Sequence, residues 1–244
     1  ETDYLCAVNA SDSARQNQIS FYLHIPFCRH LCHYCGCNSY PAAKPETVEA
    51  YVGALHREID LVARHIDNSR QISQIHYGGG SPTSIPIPML KELNDHLLSI
   101  APTIASPEIA IECHPGYLSE HDWQQLTACG FTRYSIGIQD MKEEVLKAVN
   151  RRPSLLPLQE ILQILRASGA TVNFDFIYGL PLQSVDSFRK TIEQASALRP
   201  DRLVTFSYAH LPKLFPRQQI LDRMGLPATE EKNRMYETAS EILR

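Results

Sequence analysis

The stretch ISFYLHIPFCRHLCHYCGC, residues 19–37, joins an apolar run to four cysteines that lie within ten residues. The run is rich in β-branched and aromatic residues and has the length of a strand. The cysteines follow it directly. Three kinds of structure bring thiols this close together: disulfides, a zinc site and an iron–sulfur cluster. The rest of the chain bears on the choice among them.

Strand-like and helix-like segments alternate along the chain after this stretch. The later strand-like segments are QISQIHYGGG, PEIAIECHP, RYSIGIQD, TVNFDFIYG and DRLVTFSYA. Between them the apolar period becomes helical, as in residues 45–66. One face there carries Val48, Val52, Leu55, Ile59, Val62 and Ile66. This alternation predicts an α/β fold with right-handed crossovers and a parallel sheet. No G-x-G-x-x-G motif follows the first strand, which disfavours a dinucleotide-binding fold.

The number of units predicts a partial, roughly six-unit parallel (β/α) barrel, because a closed barrel needs eight. Polar or glycine residues end nearly every strand: Gly78 to Gly80, Glu112, Gln139, Asp175 and Tyr208. In barrels of this type the carboxyl ends of the strands share one face, where active sites are built. We therefore expect these residues and the cysteine loop to form one site.

Composition limits the classes of partner. The chain of 244 residues is 43% hydrophobic and 20% charged, with a net charge of −4 and no run of Lys or Arg, which argues against a nucleic-acid partner. No apolar run reaches the span of a membrane helix, and residues 1–19 form a polar leader without the apolar core of a signal peptide. We expect a cytoplasmic protein without a membrane association. Residues 20–244 are predicted to form one barrel domain, truncated before a C-terminal domain.

The cysteine spacing favours an iron–sulfur cluster. Disulfides suit neither the cytosolic composition nor intervals of three, two and one residues. Structural zinc usually takes two ligand pairs a dozen or more residues apart, whereas three thiols here follow C-x₃-C-x₂-C. A zinc site would need further ligands, for which the candidates are His30, His33, Cys113, His114 and Cys129. Compact thiolate loops hold iron–sulfur clusters, and three thiolates leave one iron of a four-iron cube open to a small molecule.

The segment CRHLCHYC resembles the C-x₃-C-x-Φ-C signature of the radical S-adenosylmethionine (SAM) superfamily, with Tyr34 as the aromatic residue. Seven further segments, in order from Ser20 to Pro212, resemble the family of oxygen-independent coproporphyrinogen III oxidases. They are FYLHIPFC, HYGGGSPT, IECHP, SIGIQD, NRR, FDFIYGLP and FSYAHLP. The resemblance implies a [4Fe–4S] cluster and SAM, with two SAM molecules, in a partial (β/α) barrel.

By this resemblance Cys28, Cys32 and Cys35 ligate the cluster, and Tyr34 lies against the adenine of SAM. The positions that match SAM contacts in the family are Tyr22, Tyr34, Gly79, Gly80, Ser81, Glu112, Gln139, Arg151, Asp175 and Ala209. Ser81 departs from the family, which usually has Thr there, but it keeps the hydroxyl group.

Tyr22, His24 and Cys37 are the catalytic candidates that the resemblance implies. Tyr22 and His24 alternate with Leu23 and Ile25, so both point to one face of the first strand. The residue Cys37 distinguishes the oxidases from a related haem chaperone, whose loop lacks the final Gly-Cys.

The implied reaction is the oxidative decarboxylation of two propionate side chains of coproporphyrinogen III to vinyl groups, which gives protoporphyrinogen IX. In it a reduced cluster cleaves SAM, and the resulting radical takes a hydrogen from the propionate β-carbon. The implied partners are this substrate and a reductant such as flavodoxin or ferredoxin, and we expect a monomer. The alternatives on the same scaffold are the haem chaperone and an anaerobic haem-degrading methyltransferase.

Overall fold

The structure is a computed structural model that describes residues 2–13, 17–67 and 69–244. Its strands are β1 (Gln18–Ile25), β2 (Phe27–Cys28), β3 (Tyr40–Pro41), β4 (Gln71–Gly79), β5 (Thr103–Cys113), β6 (Arg133–Gln139), β7 (Thr171–Tyr178) and β8 (Arg202–Ser207). Its helices are α1 (Thr2–Ser13), α2 (Pro45–Ala63), α3 (Ile87–Ser99), α4 (Glu120–Thr127), α5 (Glu143–Ala148), α6 (Leu158–Ala167), α7 (Val185–Ala197), α8 (Gln219–Asp222) and α9 (Thr229–Ile242).

Six of these strands form one parallel sheet in the order β1-β4-β5-β6-β7-β8. Within the described part of the chain, β1 and β8 are its edges, so the sheet is open rather than closed. This confirms the predicted six-unit parallel architecture. All carboxyl ends of the six strands therefore lie along one rim of the sheet, as the barrel geometry requires.

The helices cover the sheet with the apolar faces that the sequence predicts. Helix α2 buries Val48, Val52 and Ile59 against the core. Of the other residues predicted on this face, Leu55 and Val62 are half-buried, and Ile66 lies beyond the end of the helix. Helix α4 begins at a capping box in which Ser119 and Asp122 each accept from the other's backbone amide, as the sequence predicts for this pair. The six-stranded sheet and its helices share one core that includes Trp123, which is fully buried.

Strand β5 begins earlier than the sequence predicts. Its pairing with β4 jumps from Ile72–Thr103 to Gln74–Glu108, so several residues of β5 bulge out between these two pairs. Pro107 lies within this bulge. Because proline has no amide hydrogen for the ladder, it is tolerated in a sheet at such an irregularity.

The N-terminal segment contains a helix. Helix α1 occupies most of the predicted polar leader, and β1 begins at Gln18, two residues before the predicted domain start. Residues 1 and 14–16 of that leader lie outside the described residues. The division into a leader and a barrel domain stays a prediction. Among the helices that the structure describes, none is long and apolar enough to cross a bilayer.

Candidate functional site

A cavity of about 330 Å³ opens at the carboxyl ends of the strands. This volume falls within the range of small-molecule sites. Of the predicted site residues, it is lined by Cys28, Cys32, Tyr34, Cys35, Cys37, Gly79, Gly80, Ser81, Glu112, Gln139, Arg151 and Asp175. These residues come from the short strand β2, from four strands of the main sheet and from the segments that follow these strands. The expected convergence of the cysteine loop with the strand ends is therefore present.

Three hydrogen bonds from distant parts of the chain hold the cysteine loop over this rim. Asn150 donates its Nδ2 to the Leu31 carbonyl over 2.9 Å. The amide of His33 donates to the Val149 carbonyl, also over 2.9 Å. The Nε2 of Gln218 donates to the Tyr34 carbonyl over 2.8 Å. The loop is thereby fixed to the segments that follow α5 and β8.

The four thiols of the loop differ in environment. Cys32 is buried, Cys28 and Cys35 are half-buried, and Cys37 is exposed. Hydrogen bonds from the thiol and the amide of Cys37 lower the pKa of Cys35 to about 6, despite its burial. Donation to Cys35 raises the pKa of Cys37, and burial raises the pKa of Cys28 to about 11. Within this pair, the proton is therefore favoured on Cys37 over Cys35.

The donor set fits a cluster better than a single metal ion. All seven cysteines are free thiols. Within residues 2–13, 17–67 and 69–244, no three side chains of His, Cys, Asp or Glu converge closely enough to hold one ion. A multi-iron cluster takes its thiolates on different irons, so Cys28, Cys32 and Cys35 need only face one cavity, which they do.

The candidates for completing a zinc site do not complete one. Cys129 is buried, with its thiol 3.4 Å from the Gln125 carbonyl. His114 accepts a hydrogen bond from the Gly116 amide at Nδ1, and burial together with the charge of Arg151 lowers the pKa of His114 to about 2. These two residues have structural contacts in place of a metal.

The glycine segment after β4 packs against the start of the cysteine loop. The Gly80 amide donates to the Ile25 carbonyl over 2.8 Å, and the Ser81 amide donates to the Phe27 carbonyl over 2.9 Å. A Cβ at Gly80 would lie 2.9 Å from the Cys28 sulfur. Gly79 has a φ of 115°, which L side chains rarely adopt. Glycine is thus required here by the close approach of the thiol loop itself.

Glu112 belongs to a chain of side chains that begins at β1. Its Oε1 lies 3.0 Å from Nε2 of His76, whose ring stacks on that of Tyr22 at 5.8 Å between centroids. The Tyr22 hydroxyl is 3.1 Å from Nδ1 of His24, and Nε2 of His24 is 2.9 Å from the Asn38 carbonyl. The network connects the predicted catalytic pair to the predicted SAM-binding carboxylate.

Sequence reasoning missed His76 in this network. It lies on β4, two residues before Gly78, so the alternation of the strand places both on one face. That signal was present in the segment QIHYGGG. What the sequence does not contain is the parallel pairing that places His76 beside both Tyr22 and Glu112.

Arg151 is fixed by contacts within the protein. Its Nη1 lies 3.1 Å from the Tyr34 hydroxyl and 3.6 Å from the Cys32 sulfur, and its Nη2 donates to the Gly137 carbonyl. Burial raises the pKa of Tyr34 well above its usual value, so this phenol stays neutral. The guanidinium thus joins the cysteine loop to β6.

Gln139 and Asp175 present polar groups to the same cavity. The Oε1 atom of Gln139 is buried without a hydrogen-bond partner within the described chain. Asp175 accepts from Ser135 and Asn173, each over 2.7 Å, and burial raises the pKa of its carboxyl. An unpartnered buried acceptor calls for a donor from a ligand, and the ammonium and hydroxyl groups of SAM supply such donors.

Three predicted residues lie outside the lining of the main cavity. Tyr22 and His24 line a neighbouring cavity of about 220 Å³ between β1 and α2. Tyr22 nevertheless approaches the main site, since a Cβ at Gly78 would contact both Tyr22 and Glu112. Ala209 is exposed, and its carbonyl accepts from Gln218.

Arg217 is a cation of this cavity that the sequence did not indicate. The Nη1 atom of Arg217 is buried with no hydrogen-bond partner within the described chain. Its charge acts to lower the pKa of both Cys28 and Cys35. Nothing in the irregular segment around Arg217 shows that this side chain returns to the cysteine loop.

Comparison with known proteins agrees with this geometry. Residues 22–195 match the profile of the radical SAM superfamily. The chain belongs to this superfamily. Radical SAM proteins use a [4Fe–4S] cluster and SAM, and the three loop thiols and the polar strand ends fit these cofactors.

Several similar proteins are named as coproporphyrinogen III oxidases. The chain is 36% identical over 232 residues to an oxygen-independent coproporphyrinogen III oxidase of Synechocystis, covering 95% of this chain and 50% of the relative. It is 37% identical over 247 residues to the oxidase of the same name from Pseudomonas aeruginosa, covering 99% and 53%. The structure of coproporphyrinogen III oxidase (HemN) from Escherichia coli superimposes with a TM-score of 0.91 at 35% identity, covering all of this chain and 55% of that one. The chain spans about half the length of the curated relatives it matches.

Proposed function

We propose that the protein catalyses the oxidative decarboxylation of two propionate side chains of coproporphyrinogen III, which gives protoporphyrinogen IX for haem synthesis. The observation that carries the proposal is the cavity in which the three thiols of C-x₃-C-x₂-C lie beside the strand-end residues Glu112, Gln139 and Asp175. Similarity to coproporphyrinogen III oxidases over nearly the whole chain supports the substrate class.

The cofactors supply the radical chemistry. When bound, the cluster and SAM would supply the one-electron chemistry that activates a C–H bond of the propionate side chain. Cys28, Cys32 and Cys35 would hold the cluster, and we propose two SAM molecules, as the resemblance implies. The chain's own residues bind, orient and shield these groups.

Glu112 and Gln139 offer acceptors to the donor groups of SAM. Glu112 is held by His76, and the buried Oε1 of Gln139 has no partner of its own in the described chain. Arg151 fixes Tyr34, which is half-buried beside Cys32 and would border the adenine.

Tyr22 and His24 form a donor–acceptor pair at the edge of the site. The Nδ1 atom of His24 contacts the Tyr22 hydroxyl, and its Nε2 atom contacts the Asn38 carbonyl. Hydrogen bonds at both nitrogens therefore orient the ring. Tyr22 is 58% exposed, which leaves its ring accessible to a large substrate. We propose that this pair holds a proton near the reacting side chain, and that Cys37 assists it.

We further propose that a small redox protein such as flavodoxin or ferredoxin supplies the electron. We also propose that the protein acts as a monomer in the cytoplasm. The haem chaperone and the haem-degrading methyltransferase remain the alternatives on this scaffold. Cys37 favours the oxidase over the chaperone.

Anaerobic reconstitution followed by reaction with SAM and coproporphyrinogen III tests the proposed function. Mass spectrometry should detect 5′-deoxyadenosine together with vinyl-bearing products. The Cys32→Ser variant should form neither. The Cys129→Ser variant should form both, because Cys129 lies outside the cavity lining. Tight haem binding without decarboxylation would identify a chaperone instead, and methylated or ring-opened products would identify the methyltransferase.

A further inference from the structure

The outer face of the cysteine loop carries an exposed basic patch. We define the basic patch as Arg29, His30, Tyr117, Lys147 and Arg152. Arg29 and His30 lie between the ligand candidates Cys28 and Cys32. Of the five residues, only Tyr117 is half-buried, and the other four are exposed.

Tyr117 is the centre of the patch. The guanidinium carbons of Arg29 and Arg152 lie 5.5 and 5.4 Å from its ring centroid. The His30 ring stacks on it at an interplanar angle of 3°, and Nδ1 of His30 is 2.8 Å from its hydroxyl. These cation–π and stacking contacts orient the charged groups around one aromatic ring.

The positive charge of the patch is incompletely balanced. Arg29, Lys147 and Arg152 form no ion pair with any described residue. The acidic groups that face this surface are Glu143 and Glu144 at the rim, of which Glu144 pairs with Lys142 at 3.0 Å, and Asp122, whose pKa Arg29 helps to lower. The surface is thus locally cationic in a chain whose net charge is −4.

The patch is joined rigidly to the loop that would hold the cluster. Asn150 borders the same surface depression as Lys147 and donates to the Leu31 carbonyl. A donor seated on this face would be separated from the cluster ligands only by the loop itself. Arg29, His30 and Tyr117 also line the main cavity, so the patch borders the opening where SAM and substrate would enter.

We propose that the basic patch is the docking surface for an acidic one-electron carrier protein. This inference rests on the proposed function, which requires an external electron for the cluster. Electron-transfer partners form small, transient interfaces in which complementary charge steers the encounter. Exposed cations around an aromatic ring, directly above the ligand loop, provide that complementarity for an acidic carrier. Flavodoxin is the probe for the test.

The test compares two doubly charge-reversed proteins with the same change in net charge. The test variant is Arg29→Glu with Arg152→Glu. The control variant is Arg64→Glu with Lys190→Glu. Both residues are exposed and lie away from the cysteine loop, Arg64 at the end of α2 and Lys190 on α7. After anaerobic reconstitution, stopped-flow absorbance follows cluster reduction by pre-reduced flavodoxin. The same measurement uses photoreduced deazaflavin, a small reductant for which protein docking is not required.

We expect flavodoxin to reduce the test variant at least about tenfold more slowly than the wild type at low ionic strength. The difference should shrink as salt is added, because exposed charges are screened. The control variant should behave like the wild type, and deazaflavin should reduce all three proteins at one rate. A wild-type rate for the test variant with flavodoxin would overturn the inference. So would an equal loss in the control variant, or an equal loss with deazaflavin, which would mean that the substitutions altered the cluster site.

A separate product assay on the same proteins tests the proposed function. After reduction by deazaflavin, SAM and coproporphyrinogen III are added, and vinyl products are measured. Absence of these products from the wild type would refute the proposed function while the flavodoxin rates still test the docking surface.

Discussion

Replacing Gly80 by alanine should destabilise the chain and loosen the cluster site together. Gly80 follows β4, and an added Cβ would lie 2.8 Å from the Phe27 carbonyl oxygen and 2.9 Å from the Cys28 sulfur. Ordinary contacts begin at 3.4 Å, so each neighbour would have to move by about half an ångström. One of them is backbone, which a rotamer change cannot relieve.

The expected magnitude follows from this overlap. Overpacking of this kind costs about 1–3 kcal/mol of the free energy of unfolding. A loss of about 2 kcal/mol lowers the Tm of a chain of this size by about 4–8 °C. Displacement of the Cys28 sulfur should also raise the rate of cluster loss to a chelator by about tenfold.

Two further glycines serve as controls for this prediction. Gly53 lies within α2, and an added Cβ would meet only the end of Arg57 at 3.5 Å. Its replacement by alanine should stabilise the chain by about 0.5–1 kcal/mol. Gly169 has a φ of 80° in open space, so its replacement should cost only about 1–2 kcal/mol of backbone strain and leave the cluster unaffected.

Thermal unfolding of the cluster-free proteins and chelator-driven bleaching of the reconstituted proteins measure the two effects. The reasoning is refuted if Gly80→Ala keeps both the wild-type Tm and the wild-type rate of cluster loss. It is also refuted if Gly169→Ala loses its cluster as fast as Gly80→Ala does.

Three other substitutions test separate parts of the site and core. His76→Leu should weaken SAM binding about tenfold, because the hydrogen bond that orients Glu112 is lost. Equilibrium binding of SAM checks this. The His76→Gln variant should recover most of the affinity. Arg217→Gln should lower the reduction potential of the cluster by about 59 mV, which is a tenfold lower ratio of reduced to oxidised cluster at a fixed potential. The reason is that a cation near two cysteine ligands is removed. An EPR-monitored redox titration checks this. Burial raises the pKa of Asp140 above 3.8, so the folded state binds its proton more tightly than the unfolded state, and the stability that Asp140 contributes falls as the pH rises above that value. Urea unfolding across this range should show that fall in the wild type relative to Asp140→Asn.

The sequence was sufficient to predict the sheet and its site-bearing rim. Strand-length apolar segments such as residues 71–80 and 171–179 were separated by helical periods, and only parallel crossovers connect such units. The residues after each strand then had to meet along one rim. For that reason Glu112, Gln139 and Asp175 could be assigned to one site before any contact was known.

What the sequence could not predict depends on pairing between distant segments. His76 acquires its place because the parallel register of β1 and β4 sets it beside Tyr22. Arg217 reaches the cavity because the nearby Gln218 bonds to the Tyr34 carbonyl across 184 positions of the chain. Neither contact follows from local periodicity or from residue spacing.

The periodicity of the sequence likewise could not predict the bulge in β5. Periodicity predicts where a strand exists, but the extra residues before Glu108 are fixed only by the neighbouring strand. The predicted strand therefore began at Pro107, the last residue of the bulge, and residues 103–106 of β5 were missed.

Mössbauer spectroscopy of the ⁵⁷Fe-reconstituted protein, recorded with and without SAM, tests the central claim most directly. If Cys28, Cys32 and Cys35 hold a four-iron cluster, one iron has no protein ligand, and its signal alone should change when SAM binds. Four irons that are unaffected by SAM would contradict the account, as would a colourless protein that retains zinc in place of iron.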